Sequence, residues 1–319
     1  MVYENFVSDL PGDNRVTFGS AEETQEVMAS LGVDQDMKQL GKGVYRSDMS
    51  VRPTKQVELY ADRFSKSVSM YLEPPAGSIG LLIPRTVSGI FHASGTNVSN
   101  DHLVFVHADQ GTDIVAPDLI GSEAITISKS RFDELAKTLY PSMKLQEITC
   151  AMKGDTAHLH ALRKCILELI NQQAEPNEEQ LCGLIASFIS WMDNSINDYS
   201  NEKHLIGICK KRRVARSAQE YIHANFRQNV HTEDLCRASG VGVRTLQRSF
   251  KEYFDLTLSE YQKMVRLDAA KHELAVGDPS QDSVSNIALK NGCNHLGRFS
   301  VEFHERFGIA PSDVLNKKH

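Results

Sequence analysis

"LCRASGVGVRTLQRSFKEYF" (residues 235–254) decides the fold of the C-terminal part of this chain. A short helical pattern runs as far as Gly240, and a second one begins at Val243. Glycine readily adopts the left-handed conformation that ends many helices, so Gly240 is the expected stop and Thr232 the expected N-cap. A short helix, a tight turn and a second helix predict a helix-turn-helix unit.

Nearly the same layout returns in "SVSNIALKNGCNHLGRFSVEFHERFG" (283–308), with Ser283 as the expected N-cap and Gly292 as the stop. Two apolar positions of the first unit recur at an offset of 53 residues: Leu246 and Phe250 correspond to Phe299 and Phe303. A repeat of this kind is more informative than either copy alone.

The segment between the two units, "LTLSEYQKMVRLDAAKHELAVG" (256–277), is apolar at helical spacing and predicts one rigid connecting helix. A recognition helix lies in the major groove of DNA and reads base edges with residues near its N-terminus. We therefore predict recognition helices over about 243–254 and 295–306, which enter successive major grooves.

Polar side chains are concentrated at the start of the first recognition helix. The candidate DNA-binding residues there are Arg244, Thr245, Gln247 and Arg248. Arginine suits guanine and glutamine suits adenine, because each forms a bidentate pair with the base edge. One such arginine alone is more often only solvated, but a set placed twice behind matched glycine turns favours DNA recognition.

Residues 213–315 resemble the DNA-binding domain of the AraC/XylS family of bacterial transcription regulators. The resemblance lies in residues 235–254, in "MVRLDAAKHEL" (264–274) and in residues 287–314, whose closing F-G-x-x-P-S element is the most recognisable part. It implies double-stranded DNA as a partner, a small-molecule effector, and transcriptional activation through contact with RNA polymerase.

The second recognition helix departs from the first. The positions that correspond to the family's reading residues are Leu296, Gly297, Arg298 and Val301, with His295 just before them. Only Arg298 is a strong base reader, and Leu296 or Val301 could at most touch a thymine methyl group. We expect the first helix to contribute most of the direct readout.

The charge of the chain is unevenly distributed. The net charge is −6, yet residues 203–319 carry 19 Lys and Arg against 13 Asp and Glu, whereas the first 202 residues carry 16 against 28. A basic C-terminal domain beside an acidic one favours a nucleic-acid partner. "KKRR" (210–213) is either a phosphate-gripping arm or a solvated linker run.

The N-terminal part has a different pattern. Residues 40–135 show short apolar runs between turn signals, which is typical of an all-β sandwich or a small barrel. Residues 40–140 also resemble, more loosely, the cupin-like sensor domain of the same family. Two helical patterns follow, over 156–171 and 180–192, and we interpret their apolar stripes as a homodimer contact, with core packing as the alternative.

The predicted fold class is α+β with two domains: an N-terminal cupin-like β-barrel with a helical dimerisation pair, and a C-terminal all-α tandem helix-turn-helix domain. The predicted boundaries are 1–192 for the sensor and dimerisation domain, 193–208 for the linker and 209–319 for the DNA-binding domain. The longest apolar stretch, residues 181–192, is too short to span a bilayer, and the acidic start lacks a signal pattern, so we expect a cytoplasmic protein without a membrane partner.

Signals for enzymatic chemistry are weak. His92, His102, His107 and Asp109 invite a cupin metal site, but the His-x-His pair with a following Glu and a later His is missing. The six cysteines are scattered without a Cys-x-x-Cys pair, and no glycine-rich phosphate loop occurs. We predict no catalytic residue, metal or cofactor. A cupin-type enzyme with a basic appendage, and a ligand-independent regulator controlled by a partner protein, are the alternatives.

Overall fold

The computed structural model describes residues 2–7, 10, 15–87, 89, 91–94, 96–107, 111–143, 151–196 and 202–316. The chain divides into two compact units. The first comprises Met1–Gln39 and Tyr45–Glu202, and the second comprises Leu40–Val44 and Lys203–His319.

The first unit contains five helices and twelve strands among the described residues. The helices are α1 (Val2–Phe6), α2 (Ala21–Ser30), α3 (Lys129–Leu139), α4 (Thr156–Asn171) and α5 (Glu178–Ile196). The strands are β1 (Arg15–Phe18), β2 (Asp34–Gln39), β3 (Ser47–Pro53), β4 (Val57–Phe64), β5 (Val68–Glu73), β6 (Ser78–Thr86), β7 (Phe91–Ala93), β8 (Thr96–Val98), β9 (His102–His107), β10 (Thr112–Ala116), β11 (Ile120–Ser128) and β12 (Ala151–Lys153).

The strands form two antiparallel sheets that pack face to face. A seven-stranded sheet has the order β1-β3-β4-β11-β6-β9-β12, and a five-stranded sheet has the order β2-β5-β10-β7-β8. Within the described residues no strand pair joins the two sheets, so the expected closed barrel is wrong and the architecture is a β-sandwich. The reason is that short apolar strands between turns look the same in a sandwich and in a barrel, since closure depends on pairing between distant strands.

Alternation along the central strands gives the seven-stranded sheet two buried faces. On β6, Ile79, Leu81 and Ile83 belong to a core cluster shared with α3, α4 and α5, whereas Leu82 belongs to the cluster between the sheets. Successive side chains of a strand point to opposite faces, so an uninterrupted apolar run such as 79–83 marks a strand covered on both sides. The unit therefore has three layers.

The apolar stripes of α4 and α5 are used inside the unit. Leu159, Leu162, Ile166 and Leu169 of α4 are buried against the sheet, and Phe188 and Trp191 of α5 belong to the same cluster. The helices are where the sequence predicts them, but these stripes cover the seven-stranded sheet. The apolar stripes of α4 and α5 therefore do not indicate a homodimer contact, because core packing accounts for the same residues.

A cavity remains between the two sheets. It is lined by side chains from β2 to β6, β7, β9, β10 and β11 and by α2, and it measures about 820 Å³ including the part open to solvent.

In the second unit, the described residues 203–316 form helices joined by turns and short loops, without a strand. Its helices are α6 (Glu202–Asn225), α7 (Thr232–Ser239), α8 (Val243–Phe254), α9 (Leu258–Val276), α10 (Val284–Lys290), α11 (Leu296–Phe307) and α12 (Pro311–Leu315). Helices α5 and α6 extend into the predicted linker at 193–208, of which residues 197–201 lie outside the described part. The arrangement α7-turn-α8 and α10-turn-α11, joined by α9, is the predicted tandem.

Candidate nucleic-acid interface

The first helix-turn-helix unit is formed by α7 and α8. Helix α7 ends at Gly240, which has a φ of +67° and donates its backbone N–H to Cys236 O. Only three residues separate the two helices, and glycine adopts this left-handed turn without a steric penalty. The N-cap of α7 is His231 rather than the predicted Thr232, because Asp234 accepts the backbone N–H of His231 at 3.1 Å.

Helix α8 has one buried face and one exposed face. Leu246, Phe250 and Phe254 are almost completely buried, and the rings of Phe250 and Phe254 pack with Tyr261 of α9. The opposite face exposes a stripe of four polar side chains at spacings of three and four residues, which we call the α8 stripe: Arg244, Gln247, Arg248 and Lys251. Thr245 is half-buried at its edge. Lys251 was not among the predicted residues, although its helical spacing from Arg244 and Arg248 could have identified it.

The arginines of the second unit differ in their partners. Arg266 donates to Phe226 O at 2.8 Å and to Gln228 O at 2.9 Å, so it holds the chain in place. In contrast, Arg244, Arg248 and Arg298 are exposed and form no ion pair with any residue that the structure describes. An exposed guanidinium without an internal partner keeps its donors available for a carboxylate, a phosphate or a base edge.

The second helix-turn-helix unit repeats the first. Ser283 caps α10 by accepting the backbone N–H of Asn286 at 3.1 Å, and Gly292, at a φ of +76°, follows the end of the helix as predicted. Burial raises the pKa of the adjacent Cys293 to about 11, so its thiol stays neutral. The equivalent apolar positions also match, since Leu246, Phe250, Phe299 and Phe303 are all at most 2% exposed.

The outer face of α11 is less polar than the α8 stripe. His295, Leu296, Gly297 and Arg298 are exposed, and Val301 on the next turn is 58% exposed. Arg298 is the only cation among these positions with a permanent charge. The structure therefore brings the predicted residues of each helix together on one face. Val301 of α11 is apolar, whereas the equivalent residue of α8, Arg248, is charged.

Helix α9 connects the two units as a single element of 19 residues, about 28 Å long at 1.5 Å per residue. Its start is fixed by a capping box, in which Thr257 accepts the backbone N–H of Glu260 and Glu260 accepts that of Thr257. Near its N-terminus, Tyr261 packs against α8 of the first helix-turn-helix unit. Nearer its C-terminus, Leu267 and Leu274 belong to the core of the second helix-turn-helix unit. One rigid helix thus contributes to both cores.

The F-G-x-x-P-S element ends α11 and starts α12. Gly308 has a φ of +71° and donates its backbone N–H to His304 O at 2.8 Å, which closes α11. Pro311 occupies the first turn of α12, where a missing N–H costs nothing. The element is thus a helix stop followed by a helix start, and Leu315 of α12 completes the apolar core around α11.

The basic run "KKRR" at 210–213 lies within α6. Lys210 and Arg213 are exposed, and Lys211 forms an ion pair with Glu252 of α8 at 2.6 Å. These cations are therefore carried by a helix, rather than by an extended arm or an irregular linker run.

The residues considered for a metal site are only partly described. His102 Nδ1 lies 2.6 Å from the accepting oxygen Oδ1 of Asp101, and His92 is buried on β7. Asp109 and the side chain of His107 lie outside the described residues. Among the residues that are described, no three His, Cys, Asp or Glu side chains lie close enough together to hold a metal ion.

Comparison with known proteins supports the assignment of the second unit. A family model described as a helix-turn-helix domain matches residues 235–317. A probable thc operon regulatory protein from Rhodococcus erythropolis is 33% identical over 102 residues, and a XylDLEGF operon transcriptional activator from Pseudomonas putida is 30% identical over 142 residues. Residues 235–317 of this chain are thus similar to a helix-turn-helix domain, and the two relatives are named as an operon regulator and a transcriptional activator.

These matches cover only part of each protein. The match to the Rhodococcus erythropolis regulator spans 32% of this chain and 31% of that relative, and the match to the Pseudomonas putida activator spans 44% and 42%. A probable AraC family transcriptional regulator from Rhodopseudomonas palustris CGA009, solved as a crystal structure, is 29% identical with a TM-score of 0.31, covering 33% of this chain and 95% of that one.

Proposed function

We propose that this chain is a transcription regulator of the AraC/XylS family, which binds specific DNA sequences and reads two successive major grooves with α8 and α11. The observation that carries the proposal is the α8 stripe: Arg244, Gln247 and Arg248 stand exposed behind a tight turn, and the arginines have no ion pair among the described residues. A helix presented in this way fits the major groove, where arginine and glutamine side chains distinguish base pairs.

The residues have distinct proposed roles. Arg244 and Arg248 pair with guanine edges, Gln247 pairs with adenine, and half-buried Thr245 bonds a phosphate or a base at the edge of the helix. On α11, Arg298 supplies the one strong base contact, with His295 and Gly297 positioned at the groove. Leu296 and Val301 offer only apolar contact, for which a thymine methyl group is the suitable partner.

The wider assignments are part of the same proposal. Relatives named as transcriptional activators support an activating role, with RNA polymerase as partner and a cytoplasmic location. The first unit is the sensor for a small-molecule effector, and the cavity between its sheets supports that role. No helix in the described part of the chain has the length and apolar character needed to cross a membrane. A homodimer and the absence of catalysis stay predictions, and a dimer contact would need surfaces other than the buried stripes of α4 and α5.

The test is selection of binding sites from random-sequence DNA by the full chain. The expected result is a motif of two blocks with centres about 10 base pairs apart, since successive major grooves on one face lie about 34 Å apart. Arg248→Ala should weaken binding by about 1–3 kcal/mol and relax the preference for one base in one block. The matched control is Arg227→Ala, which removes an exposed arginine that pairs with Glu273 at 2.8 Å. An unchanged base preference in Arg248→Ala would mean that the stripe does not read sequence.

A further inference from the structure

The cavity between the sheets of the first unit is mainly apolar. Its walls include aromatic and aliphatic side chains from both sheets together with three methionines: Phe64, Phe91, Ile114, Met28, Met49 and Met70. Methionine side chains are flexible and polarisable, so such a wall adapts to apolar ligands of irregular shape. A cavity of this kind, with a few polar groups, is the usual form of a small-molecule site.

Among the described residues that line this cavity, Asp62 of β4 is the only one with a charged side chain, and none is Lys, Arg or His. A carboxylate ligand would therefore face another carboxylate across an apolar space, with no cation among the described lining residues to neutralise it. Like charges in a desolvated environment repel strongly, so the lining discriminates against anions.

Only one oxygen of the Asp62 carboxylate accepts a side-chain hydrogen bond from a described residue. Ser122 lies directly opposite Asp62 on β11, and its Oγ donates to Asp62 Oδ2 at 2.6 Å. The other oxygen, Oδ1, is buried and accepts no hydrogen bond from any described residue. Burial raises the pKa of Asp62 to about 6. A buried acceptor without a donor is unfavourable, and a donor supplied by a ligand would relieve it.

A second polar side chain lines the same cavity, and one of its atoms also lacks a hydrogen-bond partner among the described residues. Gln35 of β2 is 4% exposed, and its Nε2 atom is buried without an acceptor among the described residues. Strand alternation turns Gln35 and Met37 inward, whereas Asp36 pairs with Lys38 at the surface. A buried amide that gains no hydrogen bond from the fold is costly to keep, which indicates that its partner comes from outside the chain.

We propose that this cavity binds an uncharged, mainly apolar molecule that donates a hydrogen bond to Asp62 Oδ1 and accepts one from Gln35 Nε2, as amides, carbamates and hydroxy compounds can. The inference names the chemical class of the effector, and it rests on the proposed function for the regulatory role of that ligand. An ammonium ion is a poorer fit than an amide, because it has donors but no acceptor for Gln35.

The experiment is calorimetric titration of the full chain with three matched probes: 4-butylbenzamide, 4-butylbenzoate and 4-butylbenzylamine. The expected result at neutral pH is that the amide binds at least tenfold more tightly than the benzoate and more tightly than the amine. Equal or tighter binding of the benzoate, tightest binding of the amine, or no saturable binding of the amide at millimolar concentration would each overturn the proposal.

Two variants test the named residues. Asp62→Asn keeps an acceptor for Ser122 but removes the charge, so the preference for amide over benzoate should fall about tenfold. Gln35→Met removes the donor at similar volume, so amide binding should weaken several-fold. Asp36→Asn, a change on the outer face of the same strand, should leave all three affinities unchanged. A preference that survives in Asp62→Asn contradicts the proposal, and Gln35→Met still tests it if the first variant fails to fold.

DNA binding measured on the same preparation separates the two levels of the proposal. Sequence-specific DNA binding without the expected probe selectivity would overturn only the inference about the ligand. The expected selectivity without sequence-specific DNA binding would overturn the proposed function and leave the ligand chemistry in place.

Discussion

Arg306 of α11 and Asp268 of α9 form a bidentate ion pair. Arg306 Nη2 lies 2.8 Å from Asp268 Oδ1 and 3.0 Å from Oδ2, and Arg306 Nε lies 3.0 Å from Oδ1. Arg306 is only 6% exposed, so its charge is largely removed from water, and Asp268 supplies a countercharge. The pair fixes α11 to α9.

Asp268→Asn should destabilise the second unit by about 3 kcal/mol, because it leaves a buried guanidinium without its countercharge. The measurement is urea unfolding of the full chain followed by helical circular dichroism. Fluorescence of Trp191, the single tryptophan, reports on the first unit and should not change. Lys263→Ala is the matched control, since the Lys263–Glu302 pair joins the same helices at 3.3 Å but is exposed, and its loss should cost less than about 1 kcal/mol. Equal effects of both variants would contradict the argument.

The two blocks of the operator should differ in stringency. Because Leu296, Gly297 and Val301 offer few polar base contacts, the block read through Arg298 should tolerate more substitutions than the block read by the α8 stripe. Arg298→Ala should cost about 1–3 kcal/mol and alter preference in the tolerant block alone. A systematic scan of operator substitutions, with wild type and variant in parallel, measures both effects. Two equally stringent blocks would show that α11 reads sequence by other means.

Binding to DNA should depend steeply on salt. Contacts of Lys and Arg with phosphate release counterions, so about 6 contacts predict a log–log slope near −5. Replacing residues 210–213 by alanine should weaken specific and non-specific sites alike, since phosphate contacts carry no sequence information. Lys129→Ala, which removes an exposed cation from the first unit, is the control. A flat salt response, or a loss restricted to specific sites, would argue against this role of α6.

Asp62 should make the stability of the first unit dependent on pH. Burial raises the pKa of Asp62 to about 6, above the value near 3.9 expected in the unfolded chain, so the folded state binds this proton more tightly. The contribution of Asp62 to stability is therefore greatest below about pH 4, decreases as the pH rises towards 6, and stays low above it. Asp62→Asn should thus be more stable than wild type by roughly 2 kcal/mol at neutral pH and equal to it below about pH 4.

The check is urea unfolding of both proteins, followed by Trp191 fluorescence, across this pH range. Asp36→Asn, at the surface of the same unit, should show no such pH-dependent difference. If Asp62→Asn proves less stable at neutral pH, the charged carboxylate must already have a partner within the fold.

The amino-acid sequence alone determined the two helix-turn-helix units, including the limits of α8 and α11 to within one residue. Helix limits there depend on local chemistry: Gly240 and Gly292 provide left-handed stops, Ser283 provides a cap, and apolar spacing separates buried from exposed faces. Because these signals act over a few residues, the sequence predicted α8 correctly and placed the start of α11 within one residue. The exposed positions of Arg244, Gln247, Arg248 and Arg298 followed from the same spacing.

Only the tertiary structure decided how the strands of the first unit pair and what lies between them. Barrel and sandwich have the same local pattern, and the fold depends on contacts between residues far apart in the chain, such as Asp62 with Ser122. The edge strand β2 was not predicted, because it buries polar side chains such as Gln35 where alternation would favour apolar ones. The cavity and its polar atoms without hydrogen-bond partners could not be predicted from the sequence either. Whether a buried polar group has a partner depends on neighbours that come together only when the chain folds.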